Sequence, residues 1–372
     1  MNRLNFFLRA KASGIVLSSG FFLGVLGTAS AAEVFSPVVG FLKFDCLAES
    51  DTIVSAPFHQ TPRWAGRAAA VPTSPSPGVV RISLKDNPSF ATGELKNAPH
   101  FLYCRDTTGA HRGRHFLIVE HGANTVDVSA ALSDLGSLAI DGLVSIIPAW
   151  TLNTLFPPAS QTTLHASTGS LASQRVSELL FFDTTTVGTS LAPTRRFFVT
   201  NAAWFEVGSY SAAGNTVIEP GQAFIIRHPA GVAATTFVPN QQVQGGLASV
   251  AMGATRDGLD RDIMIALPRP VPMTLDQLDF APGQFVESTS TAAGDRKDQL
   301  LVFDNTQALR NRQPSAIYFR TGGQWVRDTA GYPASGSQMI EPSAGLIVRR
   351  EGDAGTSPLV WVNAPTYDVT AP

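Results

Sequence analysis

Two stretches in the second half of the chain read alike. The first runs Glu178-Leu179-Leu180-Phe181-Phe182-Asp183, continues through Phe197-Phe198-Val199 to Trp204, and closes with Ile218-Glu219-Pro220 and Phe224-Ile225-Ile226-Arg227. The second runs Gln299-Leu300-Leu301-Val302-Phe303-Asp304, continues through Tyr318-Phe319-Arg320 to Trp325, and closes with Ile340-Glu341-Pro342 and Leu346-Ile347-Val348-Arg349. Asp183 to Asp304 and Trp204 to Trp325 are shifts of 121 residues; Glu219 to Glu341 and Arg227 to Arg349 are shifts of 122. One residue gained over such a distance is what a loop tolerates, so the stretches read as a duplicated unit.

The likeness extends upstream. Trp150-Thr151-Leu152-Asn153-Thr154-Leu155 faces Met273-Thr274-Leu275-Asp276-Gln277-Leu278, and each follows an apolar run ending in Pro148 or Pro268. A fainter start of the same kind is Asp51-Thr52-Ile53-Val54-Ser55-Ala56-Pro57. The expected organisation is therefore a divergent β unit at 33–140, one repeat unit at 141–260, and a second at 261–372 that includes a C-terminal strand and tail.

Within a unit the local signals are those of short strands. Leu179 to Phe182 is an apolar run of strand length, Phe197–Thr200 and Trp204–Val207 read as a hairpin, and Gly322-Gly323 supplies a tight turn in the second copy. Only 129–139 and 151–156 look helical. Abundant Gly (32) and Pro (25) with 15% charged residues suit many strands joined by turns, and 44% apolar residues can build real cores. The expected fold class is all-β: repeated β-sandwich or barrel-like units of short antiparallel strands with few short helices.

The first 32 residues have the order of a signal peptide. Arg3, Arg9 and Lys11 precede the apolar run Phe21-Phe22-Leu23-Gly24-Val25-Leu26, and small residues follow to Ala31 and Ala32. Export without a membrane anchor is the expectation, to the periplasm, outer surface or medium. Removing those three basic residues leaves 24 basic against 29 acidic residues, a balance of −5 that argues against nucleic acid as a partner.

The strings D-T-I-V-S-A-P-F at 51–58, P-A-W-T-L-N-T-L-F-P at 148–157, L-L-V-F-D-N at 300–305 and Y-F-R-T-G-G-Q-W at 318–325 carry a resemblance. They are similar to a family of uncharacterised secreted β-rich proteins of Verrucomicrobia-type bacteria. The resemblance covers most of the chain after residue 32, implies export and a shared fold, and assigns no functional residue.

Motifs for chemistry are sparse. No Gly-x-Ser-x-Gly elbow, Ser-x-x-Lys or phosphate loop is present. His100, His111, His115 and His121 crowd into the first unit, but His111-Arg112-Gly113-Arg114-His115 lacks a glutamate and suits a turn. Asp257, Asp260 and Asp262 are a candidate calcium corner, weighed against an acidic turn before a strand; calcium is the only cofactor considered. Cys46 and Cys104 are read either as a disulfide or as two buried thiols. Glu219 and Glu341 match in the repeat and suit a structural role, with Arg227 and Arg349 as partners. Trp204 and Trp325, each after a hairpin turn, are either stacking platforms for sugar rings or core residues. The leading expectation is a non-enzymatic exported protein that binds or scaffolds on envelope or extracellular polysaccharide. The alternatives are a secreted hydrolase acting on glycan or peptide, and a self-associating envelope component.

Overall fold

The computed structural model describes residues 38–183, 186–253, 258–281, 283–352 and 359–369. The expected signal peptide lies outside them. The fold is all-β, built of antiparallel sheets, and the α-helices among the described residues are single turns of four residues each.

Two five-stranded sheets organise the repeats. In the first, the strands run in the order Trp204–Glu206, Arg195–Val199, Glu178–Phe181, Phe224–Arg227, Asp51–Val54. In the second the order is Gln324–Arg327, Ala316–Thr321, Gln299–Val302, Gly345–Arg350, Arg261–Ala266. The two match strand for strand. Registers match too: Val199 faces Trp204 where Arg320 faces Trp325, and Arg227 faces Asp51 where Arg349 faces Asp262. Gly322 and Gly323, at φ 57° and 77°, close the second hairpin with the left-handed pair of residues that a two-residue turn demands.

Alternate side chains along these strands serve different layers. Leu179, Phe197, Val199, Phe224 and Ile226 enter the core of unit A, with Trp204 and Phe237. Ile263, Ile265, Leu300, Leu346 and Val348 enter the core of unit B, with Trp325 and Trp361. The opposite faces meet each other: Ile53, Leu180 and Ile225 pack with Met264 and Ala266 in a layer between the sheets. Gly345 lies against Ile53 so closely that a Cβ would collide with it, which lets the two sheets approach. Each unit's core is closed on its far side by two short ribbons. In unit A these are Trp150–Thr151 with Val217–Ile218 and Phe44–Cys46 with Thr235–Phe237. In unit B they are Met273–Thr274 with Met339–Ile340 and Ala248–Met252 with Leu359–Asn363.

The expected unit boundaries are corrected by the sheet topology. Asp51–Val54 does not head a unit at 33–140; it is the edge strand of unit A, beside Phe224–Arg227. Leu143–Pro148 does not open unit A; it lies inside a seven-stranded sheet, between Trp64–Arg67 and His100–Cys104. That sheet has its own core, including Val80, Ile82, Leu102, Phe116, Val126 and Val144. It is an insertion between Pro57 and Trp150 of unit A, at the point where unit B passes from Pro268 to Met273 directly. The shift between matched residues is 211 before it (Asp51 to Asp262) and 123 after it (Trp150 to Met273), so the insertion amounts to 88 residues. Two apolar strands before a proline are indistinguishable by local pattern, and partner choice separates them only in three dimensions.

Candidate functional site

The residues singled out in the sequence scatter. Trp204 is 1% exposed and donates its indole N–H to the Phe156 carbonyl at 3.0 Å; Trp325 is 4% exposed and packs on Phe285 with ring centroids 4.8 Å apart. Neither offers a free ring face, which corrects the stacking-platform reading in favour of core. Cys46 belongs to the core of unit A and Cys104 to that of the insert, both as free thiols, so the disulfide reading is corrected as well. Asp257 lies outside the described residues. Asp262 is held by Arg349 at 2.7 and 2.9 Å, and Asp260 accepts from the Gly352 N–H at 3.1 Å. Among the described residues no three His, Cys, Asp or Glu groups converge on a metal position. Arg227 and Arg349 pair with Asp51 and Asp262, not with Glu219 and Glu341.

Two concave places stand out among the described residues. The first is the junction of the insert with both units, where Phe101, His115 and Ile147 of the insert meet Ile218 and Val250. Its cavity is about 40 Å³, room for little more than water. His115 stacks on Tyr103 with centroids 4.6 Å apart, meets His59 edge-on at 5.0 Å, and has neither ring nitrogen hydrogen-bonded. Burial holds His115 well below the ordinary histidine range; burial, reinforced by the Arg269 charge, lowers His59 to about 4. Glu219 stands at the rim, where loss of hydration from the surrounding protein pushes its carboxyl up to about 7. Glu219 itself lies at the protein surface.

The second is an open groove of about 540 Å³ in unit B. Asp276, Asp279, Glu287 and Arg320 line it over an apolar floor of Phe280 and Trp325. Arg320 lies over the Trp325 ring at 5.9 Å and pairs with Glu287 at 3.1 Å; the other Glu287 oxygen accepts from the Gly323 N–H at 3.0 Å. The hairpin thus positions both partners: the strand places Arg320 opposite Trp325, and the glycine turn anchors the carboxylate. Asp276 begins a 3₁₀ turn, Asp276–Leu278, that is capped by Asp279, a residue in left-handed conformation at φ 48°.

Unit A is the natural comparison. Asp276 corresponds to Asn153: each donates its backbone N–H to a glycine carbonyl (Gly336 at 3.0 Å, Gly214 at 2.9 Å), and in both places a Cβ on the glycine would collide with the side chain. Arg320 corresponds to Val199, since each faces the tryptophan of its hairpin. Asp279 is extra: Leu155 is followed at once by Phe156, whereas Leu278 is followed by Asp279 and only then by Phe280. The aromatic floor is shared, for Phe156 meets Trp204 at 6.2 Å as Phe280 meets Trp325 at 6.3 Å. The charged rim belongs to unit B. Sequence reasoning passed over it, although the substitutions of Asn153 by Asp276 and Val199 by Arg320 are visible once the copies are aligned. No family model, no curated protein and no solved structure matches this chain.

Proposed function

We propose that this is an exported protein of two repeated β units that binds polysaccharide through the unit B groove, without catalysing a reaction there. The observation that carries the reading is the set of polar residues, Asp276, Asp279, Glu287 and Arg320, on a framework whose twin has Asn153 and Val199 at the matching places. Ionised carboxylates accept several hydrogen bonds each and a guanidinium donates up to five, a combination that suits the hydroxyl pairs of a sugar. Three carboxylates against one arginine make the groove locally acidic, which favours neutral or amino-sugar polymers over anionic ones. The N-terminal charge and apolar pattern supports export, and export would bring the chain within reach of such polymers.

The test is a pull-down and titration of the mature chain against neutral, amino-sugar and anionic polysaccharides. Saturable binding to a neutral or amino-sugar polymer is expected, weakened about tenfold by Glu287→Gln or Arg320→Ala, as loss of one charge-assisted hydrogen bond implies. Folded wild-type protein that binds none of the polymers, or binds equally well with both groove variants, sinks the reading.

A further inference from the structure

Three residues that no sequence motif links come together on the insert. His111 stands between Ser137 and Asp106, with Nδ1 2.9 Å from the serine Oγ and Nε2 3.0 Å from Asp106 Oδ2. Asp106 is fixed in turn, its Oδ1 accepting the Leu143 N–H at 2.8 Å. The Ala110 N–H donates to Ser137 Oγ at 3.2 Å. The Asp106 carboxylate only accepts, which assigns the ring proton to Nε2 and leaves Nδ1 to accept the serine hydrogen. Nε2 then keeps the imidazole proton and donates it in a hydrogen bond to Asp106, the tautomer in which a histidine can act as a base toward the serine. Burial divides the roles further: the His111 ring is 2% exposed, Asp106 is half-buried, and Ser137 is open to solvent.

The loop before the histidine is shaped around the hydroxyl. Gly109 adopts φ +86°, and a Cβ there would stand 2.7 Å from His111 Cε1 and 3.0 Å from Ser137 Oγ. Only a glycine lets this backbone pass so close. It sets the Ala110 N–H against Ser137 Oγ, which fixes the position of the hydroxyl beside the imidazole. A latch tying the 106–113 loop to the turn after the 132–135 helix would need these bonds, but not a serine whose residue surface faces solvent.

We infer that Ser137, His111 and Asp106 form a nucleophilic site that hydrolyses acyl esters, separate from the unit B groove and independent of what that groove binds. Ser137 Oγ bonds to the ester carbonyl carbon while its proton passes to His111 Nδ1. The bond from that carbon to the alcohol oxygen then breaks, and the alcohol leaves with the proton from Nδ1. Water repeats the sequence: it bonds to the acyl carbon as its proton goes to Nδ1, the carboxylic acid is released, and the proton returns to Ser137. Asp106 accepts the Nε2 hydrogen bond throughout and steadies the imidazolium. An exposed serine on the face of a β domain admits an ester borne on a bulky alcohol.

The experiment uses the full mature chain with a fluorophosphonate probe, peptide mapping of the adduct, and hydrolysis of p-nitrophenyl acetate. Labelling at Ser137 is expected, with turnover reduced at least a hundredfold in Ser137→Ala and strongly in Asp106→Asn, at unchanged melting temperature in the serine variant. His111→Gln, which removes the base, should abolish labelling; Ser137→Ala keeps the test valid if the His111 loop fails to fold. Folded wild-type protein that neither takes the probe nor turns over ester overturns the inference. So does turnover that survives Ser137→Ala.

Discussion

Arg227 and Asp51 face each other across neighbouring strands, joined by two hydrogen bonds of 2.6 Å although 176 residues separate them. Arg349 and Asp262 repeat the pair in unit B, and each aspartate also receives a backbone N–H at 2.7 Å from the other unit: Asn311 to Asp51, Ser190 to Asp262. Both donors hold left-handed backbone, at φ 51° and 52°. Each carboxylate therefore ties its own sheet to a loop of the opposite unit.

Removing Asp51 strands a guanidinium and frees that loop. Asp51→Ala should cost about 3–5 kcal/mol of unfolding free energy, the range for breaking a buried pair by one partner. Asp262→Ala should cost less, because Asp262 and Arg349 are more exposed than Asp51 and Arg227. Urea unfolding of both variants, with the Asp51→Ala/Arg227→Ala double variant, checks this; the double variant should lose less than the two single losses combined.

Acid should destabilise the chain through His228. Its imidazole is fully buried, bonded to Ser177 Oγ and Thr235 Oγ1 at 2.8 Å each, and burial, aided by nearby His165, lowers it to about 4. Between its ordinary value of 6.5 and about 4 the unfolded chain takes up a proton that the folded chain refuses, so stability falls with pH across that window and levels off below it. The full contribution of one such group is about 3 kcal/mol. His59 acts in the same direction, while Glu219, raised to about 7, opposes it from an open surface. Melting temperatures from pH 7 to 4 should drop, and drop less in His228→Gln.

The tryptophans answer a different test. Native emission from Trp204 and Trp325 should be blue-shifted and resist acrylamide, and Trp204→Ala should cost about 3–5 kcal/mol as a large core deletion. A solvent-quenched Trp204 would contradict its burial.

Both thiols should be silent. Burial pushes Cys46 up to about 11 and Cys104 higher still, which leaves almost no thiolate at neutral pH. Iodoacetamide should label neither in the native chain and both in denaturant, with equal melting temperatures under oxidising and reducing conditions.

The insert should fold alone. Residues 60–149 contain all seven strands of their sheet and a core of their own. Expressed by itself the segment should melt cooperatively, with some loss of stability because Phe101, His115 and Ile147 give up their cover at the junction.

Much of this architecture was open to reading. The apolar run at Leu179, the glycine pair at 322–323 and the spacing of Trp204 from Trp325 place strands and turns by local chemistry, and the observed hairpins follow them. Pairing partners were not readable in the same way. Asp51–Val54 joins a strand that lies far along the chain, and no local property of Thr52 or Ile53 names that partner. The groove sits between these cases, since Asp276 and Arg320 differ visibly from Asn153 and Val199 while the space they line does not exist until the ribbons pack. Asp106 and His111 share one loop and Ser137 lies in another, and the close pass of Gly109 brings the serine against the histidine.

The insertion also bears on the order in which the chain can assemble. The Asp51–Val54 strand is synthesised early, yet its neighbour at Phe224–Arg227 follows 176 residues later, a long wait for a bare strand edge. The insert's strands find their neighbours within the segment, and once formed they hold its ends together: Arg63 N–H meets the Ile146 carbonyl at 2.8 Å, and Gln60 reaches the Ala149 carbonyl at 2.9 Å. The loop that unit A must close is thereby roughly halved, which lowers its closure entropy by about 0.6 kcal/mol. The larger effect is on time, for a domain that folds first delivers Pro57 and Trp150 side by side and leaves the surrounding unit a much shorter search.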